Sequence, residues 1–357
     1  ALGWPFEPIL ETPMLPSRTI TVPSEFAYAA ARQLSDGQAK PLGALGELEE
    51  LGAWIASVQG TCPPRQLDDV RVVVFAGDHG IAADGVSAYP AAITPAMVYG
   101  IATGQAGVSA LAAANGVRVS IYDIAVAVDF PDLPGEISRF KVRRSSGAIH
   151  LADALTRDEV EQALDFGDQI AAEQIADGAQ LLIAGDLGIG NTTIAAALIA
   201  ATLGVPAAAV TGRGTGIDES ALVHKTALVQ AALDRVGARA SDPVERLIAL
   251  GAADFAAAVG FITGAARRGV PVLLDGVISV AEALVAEDLA PGTKAWLRAG
   301  HRSTEPGQAL GLDRLGLKPL VDFSMRLGEG SGAALAVPML RSAVAALTGI
   351  AQLADLT

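Results

Sequence analysis

The sequence has 357 residues, with 25 Lys plus Arg against 39 Asp plus Glu and a net charge of −14. Hydrophobic residues make up 51% and glycine occurs 39 times, which excludes a disordered chain poor in apolar side chains, and the glycines cluster rather than recur every third residue, which excludes a collagen repeat. The acidic balance excludes the basic footprint of a nucleic-acid binder.

Residues 23–34 and 45–58 read as helices separated by a loop at 35–43. The first strand, 71–75 (RVVVF), runs into AGDHG at 76–80 and the polar loop DGVSAYP at 84–90. A helix is predicted over 96–114, a strand over 117–122 ending at Asp123, and a helix over 157–178. Residues 180–184 (QLLIA) lead into GDLGIGNTT at 185–193, then a buried helix over 192–203, a turn at 204–206 and a strand at 207–210 before TGRGTG at 211–216. Helices over 219–236 and 246–268 precede a strand at 270–274 that ends at Asp275 and Gly276. A strand at 295–298 leads into GHRSTEPG at 300–307, and a helix over 331–347 follows GEG at 328–330.

Apolar runs of four to six residues fit strands buried on both faces. Their alternation with helices predicts an α/β fold, a mainly parallel sheet flanked by helices and Rossmann-like, spanning residues 60–330. The two chain ends, 1–59 and 331–357, are expected to form a small helical domain. Ligands of such sheets bind beyond the carboxyl ends of the strands, where the glycine-rich loops fall. The lone Cys62 excludes an intrachain disulfide and a cysteine metal cluster, and it fits a cytoplasmic location. His79, His150, His224 and His301 form no HxxxH pair, so zinc-hydrolase spacing is absent. No basic stretch followed by an apolar run begins the sequence, so no signal peptide is expected. The uncharged stretch 187–212 is mostly alanine and holds Asn191, Thr192, Thr193, Gly204 and Pro206, so it reads as core rather than as a membrane span.

Five loops carry candidate chemistry. GDLGIGNTT at 185–193 enters a helix at Asn191, where free N–H groups favour phosphate; the alternative is a tight capped turn. It is neither a Walker A loop nor a GxGxxG fingerprint. GRGTG at 212–216 repeats the pattern, with Arg213 adding charge and Lys225, one of five lysines, on the following helix; an exposed helix lysine is the commoner outcome there. Glu329, between glycines, reads equally as a helix N-terminal charge or as a general base on an open turn. Asp78 and His79 suggest metal or acid–base chemistry, or a structural hydrogen-bonding role, and His301 and Arg302 either order neighbouring loops or touch ligand.

Taken together, KPLGALG at 40–46, FAGDHG at 75–80, GVSAYP at 85–90, the 185–193 loop, 212–218, Asp275 with Gly276, HRSTEPG at 301–307 and RLGEGSGA at 326–333 resemble the nicotinate-nucleotide–dimethylbenzimidazole phosphoribosyltransferases of cobalamin lower-ligand assembly. They run in the family's order over nearly the whole chain. The resemblance implies a homodimeric enzyme that moves phosphoribose from nicotinate mononucleotide to 5,6-dimethylbenzimidazole with anomeric inversion, Glu329 as general base, and no metal or cofactor. It implies substrate-binding roles for Asp78, His79, Ser87, Asp186, Gly188, Gly190, Asn191, Thr192, Arg213, Gly214, Thr215, Gly216, Lys225, Asp254, His301 and Leu327. The phosphate is expected on N–H groups of 188–193 and 214–216, with Lys225. Asp186 and Asp254 stand where the family often has Glu, and Ala96 and Ala148 where it often has amides, so the acceptor base is the open feature. It could be another benzimidazole, a purine or a phenol. An idle nucleotide-binding paralogue and a nicotinamide-dependent oxidoreductase are the competing readings. The small molecules are the expected partners, with no nucleic acid and no membrane.

Overall fold

The computed structural model describes residues 20–356. The stretch 1–19 of the expected helical domain, and Thr357, lie outside the described residues. Six strands form one sheet in the order β2-β1-β3-β4-β5-β6, all neighbours parallel: β1 (Val70–Gly77), β2 (Arg118–Ala125), β3 (Leu181–Leu187), β4 (Val272–Leu274), β5 (Leu297–Ser303) and β6 (Pro319–Met325). The helices are α1 (Glu25–Asp36), α2 (Glu47–Gln59), α3 (Ile93–Ala102), α4 (Gly107–Ala114), α5 (Arg157–Ala176), α6 (Asn191–Leu203), α7 (Ala207–Val210), α8 (Glu219–Val236), α9 (Pro243–Leu250), α10 (Ala253–Arg267), α11 (Val277–Leu289), α12 (Pro306–Leu315) and α13 (Ser331–Gly349).

Strand side chains alternate between faces, and both faces of β1 and β3 are apolar. Val73, Phe75, Leu182 and Ala184 join one core with Val160 of α5, Leu198 of α6, Phe261 of α10 and Val280 of α11. Val72, Val74, Leu181 and Ile183 join a second core with Leu51 and Trp54 of α2, Val98 of α3, and Val337 and Leu340 of α13. Each such side chain contributes about 1.5–3 kcal/mol. Small residues let helices approach closely: a Cβ on Gly167 of α5 would overlap the Ala257 carbonyl oxygen of α10, and one on Gly260 would overlap that of Leu164. At the chain ends, Ala31, Ala53, Ala56 and Leu347 pack together, and the Gln38 amide donates 2.9 Å bonds to the carbonyls of Ala346 and Leu347.

Several predicted elements need correction. Residues 207–210 are a short helix, not a strand: Pro206 starts the turn and the Thr211 N–H closes it on the Ala207 carbonyl at 3.0 Å. The predicted 96–114 helix is α3 and α4, broken at Gly104, whose φ is +75°. The predicted 246–268 helix is α9 and α10, broken at Gly251. His301 lies within β5 rather than after it. Among the described residues, two helical stretches are long and apolar enough to cross a membrane by composition, 93–114 and Ser331–Gly349. The first is the broken α3–α4 pair, and the second carries Arg341, which donates to the carbonyls of Leu67 and Asn115.

Candidate active site

β1 is followed by β2 on one side and β3 lies on the other, so consecutive connections leave β1 in opposite directions. Such a switch point opens a crevice at the carboxyl ends of the strands. The loops after β3, β4, β5 and β6, at that same end of the sheet, line a cleft. Of the expected residues, Asp186, Asn191, Thr192, Gly214, His301, Leu327 and Glu329 line it.

The turn before α13 presents Glu329. Gly328, Glu329 and Gly330 have φ of +82°, +64° and +87°, and a left-handed glutamate is a strained residue that its surroundings must hold. Two contacts hold it. A Cβ on Gly185 of β3 would lie 2.7 Å from the Glu329 carbonyl carbon, so only glycine admits the turn there. On the other side, the Asp275 carboxylate accepts the N–H groups of Gly330 at 3.2 Å and Ala333 at 2.9 Å. His301 Nε2 stands 3.4 Å from the same carboxylate. Burial pushes Asp275 up, but His301 and these two N–H groups outweigh it and hold the group below its ordinary range. The Glu329 side chain is buried, and Oε2 accepts the Val108 N–H at 3.3 Å. Burial raises its carboxyl above the usual range against the pull of that N–H, and the nearby Asp275 charge adds to the rise.

The β3–α6 loop forms the opposite wall. Asn191 Nδ2 donates to Asp186 Oδ1 at 2.7 Å, and Asp186 Oδ2 has no partner. Burial, then the Asp254 charge, pushes Asp186 well above its ordinary value. Beneath the loop, His79 Nδ1 donates to the Ile189 carbonyl at 3.1 Å and Nε2 faces Asp254 at 3.0 Å. Burial disfavours the charged ring, but Asp254 and Asp186 prevail and push His79 up to about 9. His79 and Asp254 therefore support the loop from behind rather than line the cleft. Asp78 is also structural, accepting the Ala127 N–H at 2.9 Å. Gly188 packs close against His79, with a Cβ there 2.6 Å from the ring, and Gly190 takes the left-handed turn into α6 at φ +94°.

Lys225 is fully buried, against the expectation of an exposed helix lysine. Its Nζ donates to Thr192 Oγ1 at 2.7 Å and to the Gly212 carbonyl at 3.1 Å. Thr192 Oγ1 accepts that hydrogen and so keeps its own hydroxyl hydrogen for the cleft. Burial pushes the Lys225 ammonium down to about 8, opposed by the Glu305 carboxylate. Arg213 turns away, donating to the Ile217 carbonyl and Glu219. Gly216 donates to the Arg213 carbonyl at 2.9 Å. Thr215 Oγ1 lies 3.0 Å from Ser87 Oγ and accepts the Ala88 N–H at 2.9 Å, tying the 84–90 loop to the 212–216 loop outside the cleft lining.

The cleft also contains residues not singled out as site residues from the sequence: Asp275, Ser279, Ser303, Glu305 and Arg326. Asp275 and Glu305 fell inside motifs, yet neither had a spacing that signalled a role. Deeper on α11, Glu282 is buried with both carboxyl oxygens unpartnered, and burial pushes it well above its ordinary value.

Residues 20–356 match a family described as phosphoribosyltransferase. The chain is 53% identical over 337 residues to the nicotinate-nucleotide–dimethylbenzimidazole phosphoribosyltransferase of Mycobacterium avium strain 104, covering 94% of this chain and 96% of that one. It is 54% identical to the enzyme of the same name from Mycobacterium tuberculosis H37Rv, covering 93% and 91%. A crystal structure of the enzyme so named from Thermus thermophilus superposes with a TM-score of 0.88 at 41% identity, covering 93% of this chain and 98% of that one.

Proposed function

The chain belongs to the nicotinate-nucleotide–dimethylbenzimidazole phosphoribosyltransferase family and is a pentosyltransferase, and from this premise we propose that Glu329 is the general base of phosphoribosyl transfer from nicotinate mononucleotide to a benzimidazole-type base. The observation that carries the reading is Glu329 itself, a buried carboxylate held in a strained turn and raised by burial, on the wall of the cleft opposite the 185–193 loop.

The chemistry balances on these groups. One imidazole nitrogen of the acceptor attacks C1′ of the ribose from the face opposite nicotinate, forming the new C–N bond with inversion. The C1′–nitrogen bond to the pyridinium breaks, and its electron pair leaves on nicotinate. The N–H proton of the acceptor passes to the Glu329 carboxylate. A base near its working pH is more effective than an ordinary carboxylate, and burial moves Glu329 that way. The phosphate is held by the α6 N-terminus, where Thr192 donates its hydroxyl with Lys225 behind it. Asp186, Asn191, Gly214 and His301 face the sugar and nicotinate, and Leu327 faces the acceptor. His79, Asp254, Gly188 and Gly190 shape the phosphate loop, and Asp78 fixes the end of β1 against Ala127. Ser87, Thr215, Arg213 and Gly216 connect the outer loops. Leu327 on the cleft and Phe323 on β6 are exposed apolar side chains, which supports the homodimer; sedimentation equilibrium tests it. The single cysteine supports a cytoplasmic location.

Incubation with nicotinate mononucleotide and a panel of benzimidazoles, purines and phenols is expected to release nicotinate with the benzimidazoles and to give the α-ribotide by mass spectrometry. No nicotinate release with any base would remove the reading and favour an idle nucleotide-binding paralogue. The raised Glu329 carboxyl also sets the acid side of the pH profile. kcat is expected to climb with pH at a midpoint above the ordinary glutamate value of about 4.3, because the base must be ionised. An acid limb centred at or below the ordinary glutamate value would contradict this.

A further inference from the structure

We propose that Glu305 and Arg326 clamp the two sides of the Gly214 peptide group and so act as positioning residues for the phosphate, holding the Lys225 ammonium against Thr192. The inference rests on the assignment of the phosphate to the Thr192 end of the cleft.

Gly214 is where four elements meet. Its N–H donates to Glu305 Oε1 at 2.7 Å, and its carbonyl accepts Arg326 Nη1 at 2.9 Å. A Cβ on it would lie 2.6 Å from Thr192 Oγ1 and 3.3 Å from Lys225 Nζ, and its φ is +50°. The glycines of 212–216 are therefore required by protein contacts as well as by any ligand. The Gly212 Cα packs so closely on the Glu305 carboxyl that a Cβ would lie 2.6 Å from its Cδ. The Gly214 N–H, expected from sequence to reach for phosphate, is committed to a carboxylate.

Glu305 is itself well fixed. It is buried, stands just before α12 and Pro306, and donates its own N–H to Ser303 Oγ at 3.3 Å. Its charge faces Lys225, whose other neighbours are neutral: the Thr192 hydroxyl and the Gly212 carbonyl. Arg326 lies across the Gly214 peptide, and Arg213 points away to Glu219. His224, next to Lys225 on α8, is occupied with the Asp84 carbonyl. Glu305 thus has two separable roles. Its oxygen fixes the loop, and its charge keeps a buried lysine protonated beside a phosphate dianion.

Glu305→Gln keeps an acceptor for the Gly214 N–H and removes the charge; Glu305→Ala removes both. Nicotinate mononucleotide Kd by calorimetry and KM are measured at pH 6.5 and pH 8, each as a ratio to the parent enzyme, so that titration of the phosphate cancels. Glu305→Gln is expected to bind within about twofold of the parent at pH 6.5 and about fivefold more weakly at pH 8, as a one-unit drop from about 8 in the lysine's protonation equilibrium gives. Glu305→Ala and Arg326→Ala are expected to bind about tenfold or more weakly at both. Parent-like binding of Glu305→Ala or Arg326→Ala overturns the clamp. A Glu305→Gln ratio that is the same at both pH values overturns the electrostatic role. Lys225→Met is run beside them: parent-like binding by that variant overturns the phosphate assignment itself, whereas weakened binding with parent-like Glu305 and Arg326 variants overturns the clamp alone. Thermal unfolding checks that each variant is folded.

Discussion

Glu329→Gln is expected to lower turnover by about 10²–10⁴-fold, the usual worth of a positioned general base, while KM for nicotinate mononucleotide changes little. Glutamine has the same length, and its carbonyl oxygen can still accept the Val108 N–H that Glu329 accepts at 3.3 Å. It also bears no larger penalty at φ +64° than glutamate does. The substitution therefore removes the proton acceptor and little else. Stability gives an independent check. A carboxyl raised by burial is easier to keep protonated in the folded state than in the unfolded one. The native fold gains from it below the unfolded pKa and loses that gain as pH rises through the folded value. At a pH above the folded value the parent carries an ionised, desolvated carboxylate that the glutamine variant lacks, so there the variant is expected to melt at an equal or higher temperature. Steady-state kinetics and calorimetry at such a pH test both parts. Near-parent turnover would reject Glu329 as the base, and a large fall in Tm would mean that the loss reflects the turn rather than the proton.

The second large effect is on the fold. Gly167→Ala is expected to cost about 3 kcal/mol or to abolish soluble expression. Inserting a methyl into a tight core ordinarily costs about 1–3 kcal/mol, and here the obstacle is backbone: the new Cβ overlaps the Ala257 carbonyl oxygen and lies 2.7 Å from its carbon and from Phe261 N. A flexible side chain could move aside, but a helix must shift as a body. α10 is in turn pinned, with every residue from Ala253 to Ala266 buried. Gly349→Ala is the matched control, since nothing lies within 4 Å of a Cβ there, and alanine is the better helix former. Denaturant titration of both variants should separate them by several kcal/mol; equal stabilities would contradict the close helix contact.

The elements read most cleanly from sequence were those with one physical cause. β1 and β3 are buried on both faces, and a continuous apolar run is the signature of that environment. Residues 207–210 carry the same signature over four residues, too few for periodicity to separate strand from helix; the turn closed by Thr211 on the Ala207 carbonyl shows which it is. β6 went unread because an edge strand with Asp322 and Ser324 exposed lacks an apolar run. Glu329 drew attention because glycines flank it, but the contacts that hold its turn come from Gly185 and Asp275, 144 and 54 residues away. Asp275 and Glu305 act by accepting backbone N–H groups from distant loops. That leaves no spacing pattern in the chain.

The turn that holds Glu329 also begins α13, and α13 helps cover the face of β1 and β3 built from Val72, Val74, Leu181 and Ile183. A chain made from its N-terminus therefore finishes β3 long before the helix that shields it. At about 5–20 residues per second, that interval is roughly ten to thirty seconds. Throughout it, the nascent chain carries an incompletely covered apolar sheet face, the surface on which chaperones act and through which chains aggregate. The same final segment that closes this face brings in the base. A stalled or truncated chain is then inactive and adhesive together, and completion of synthesis removes both properties in one docking event.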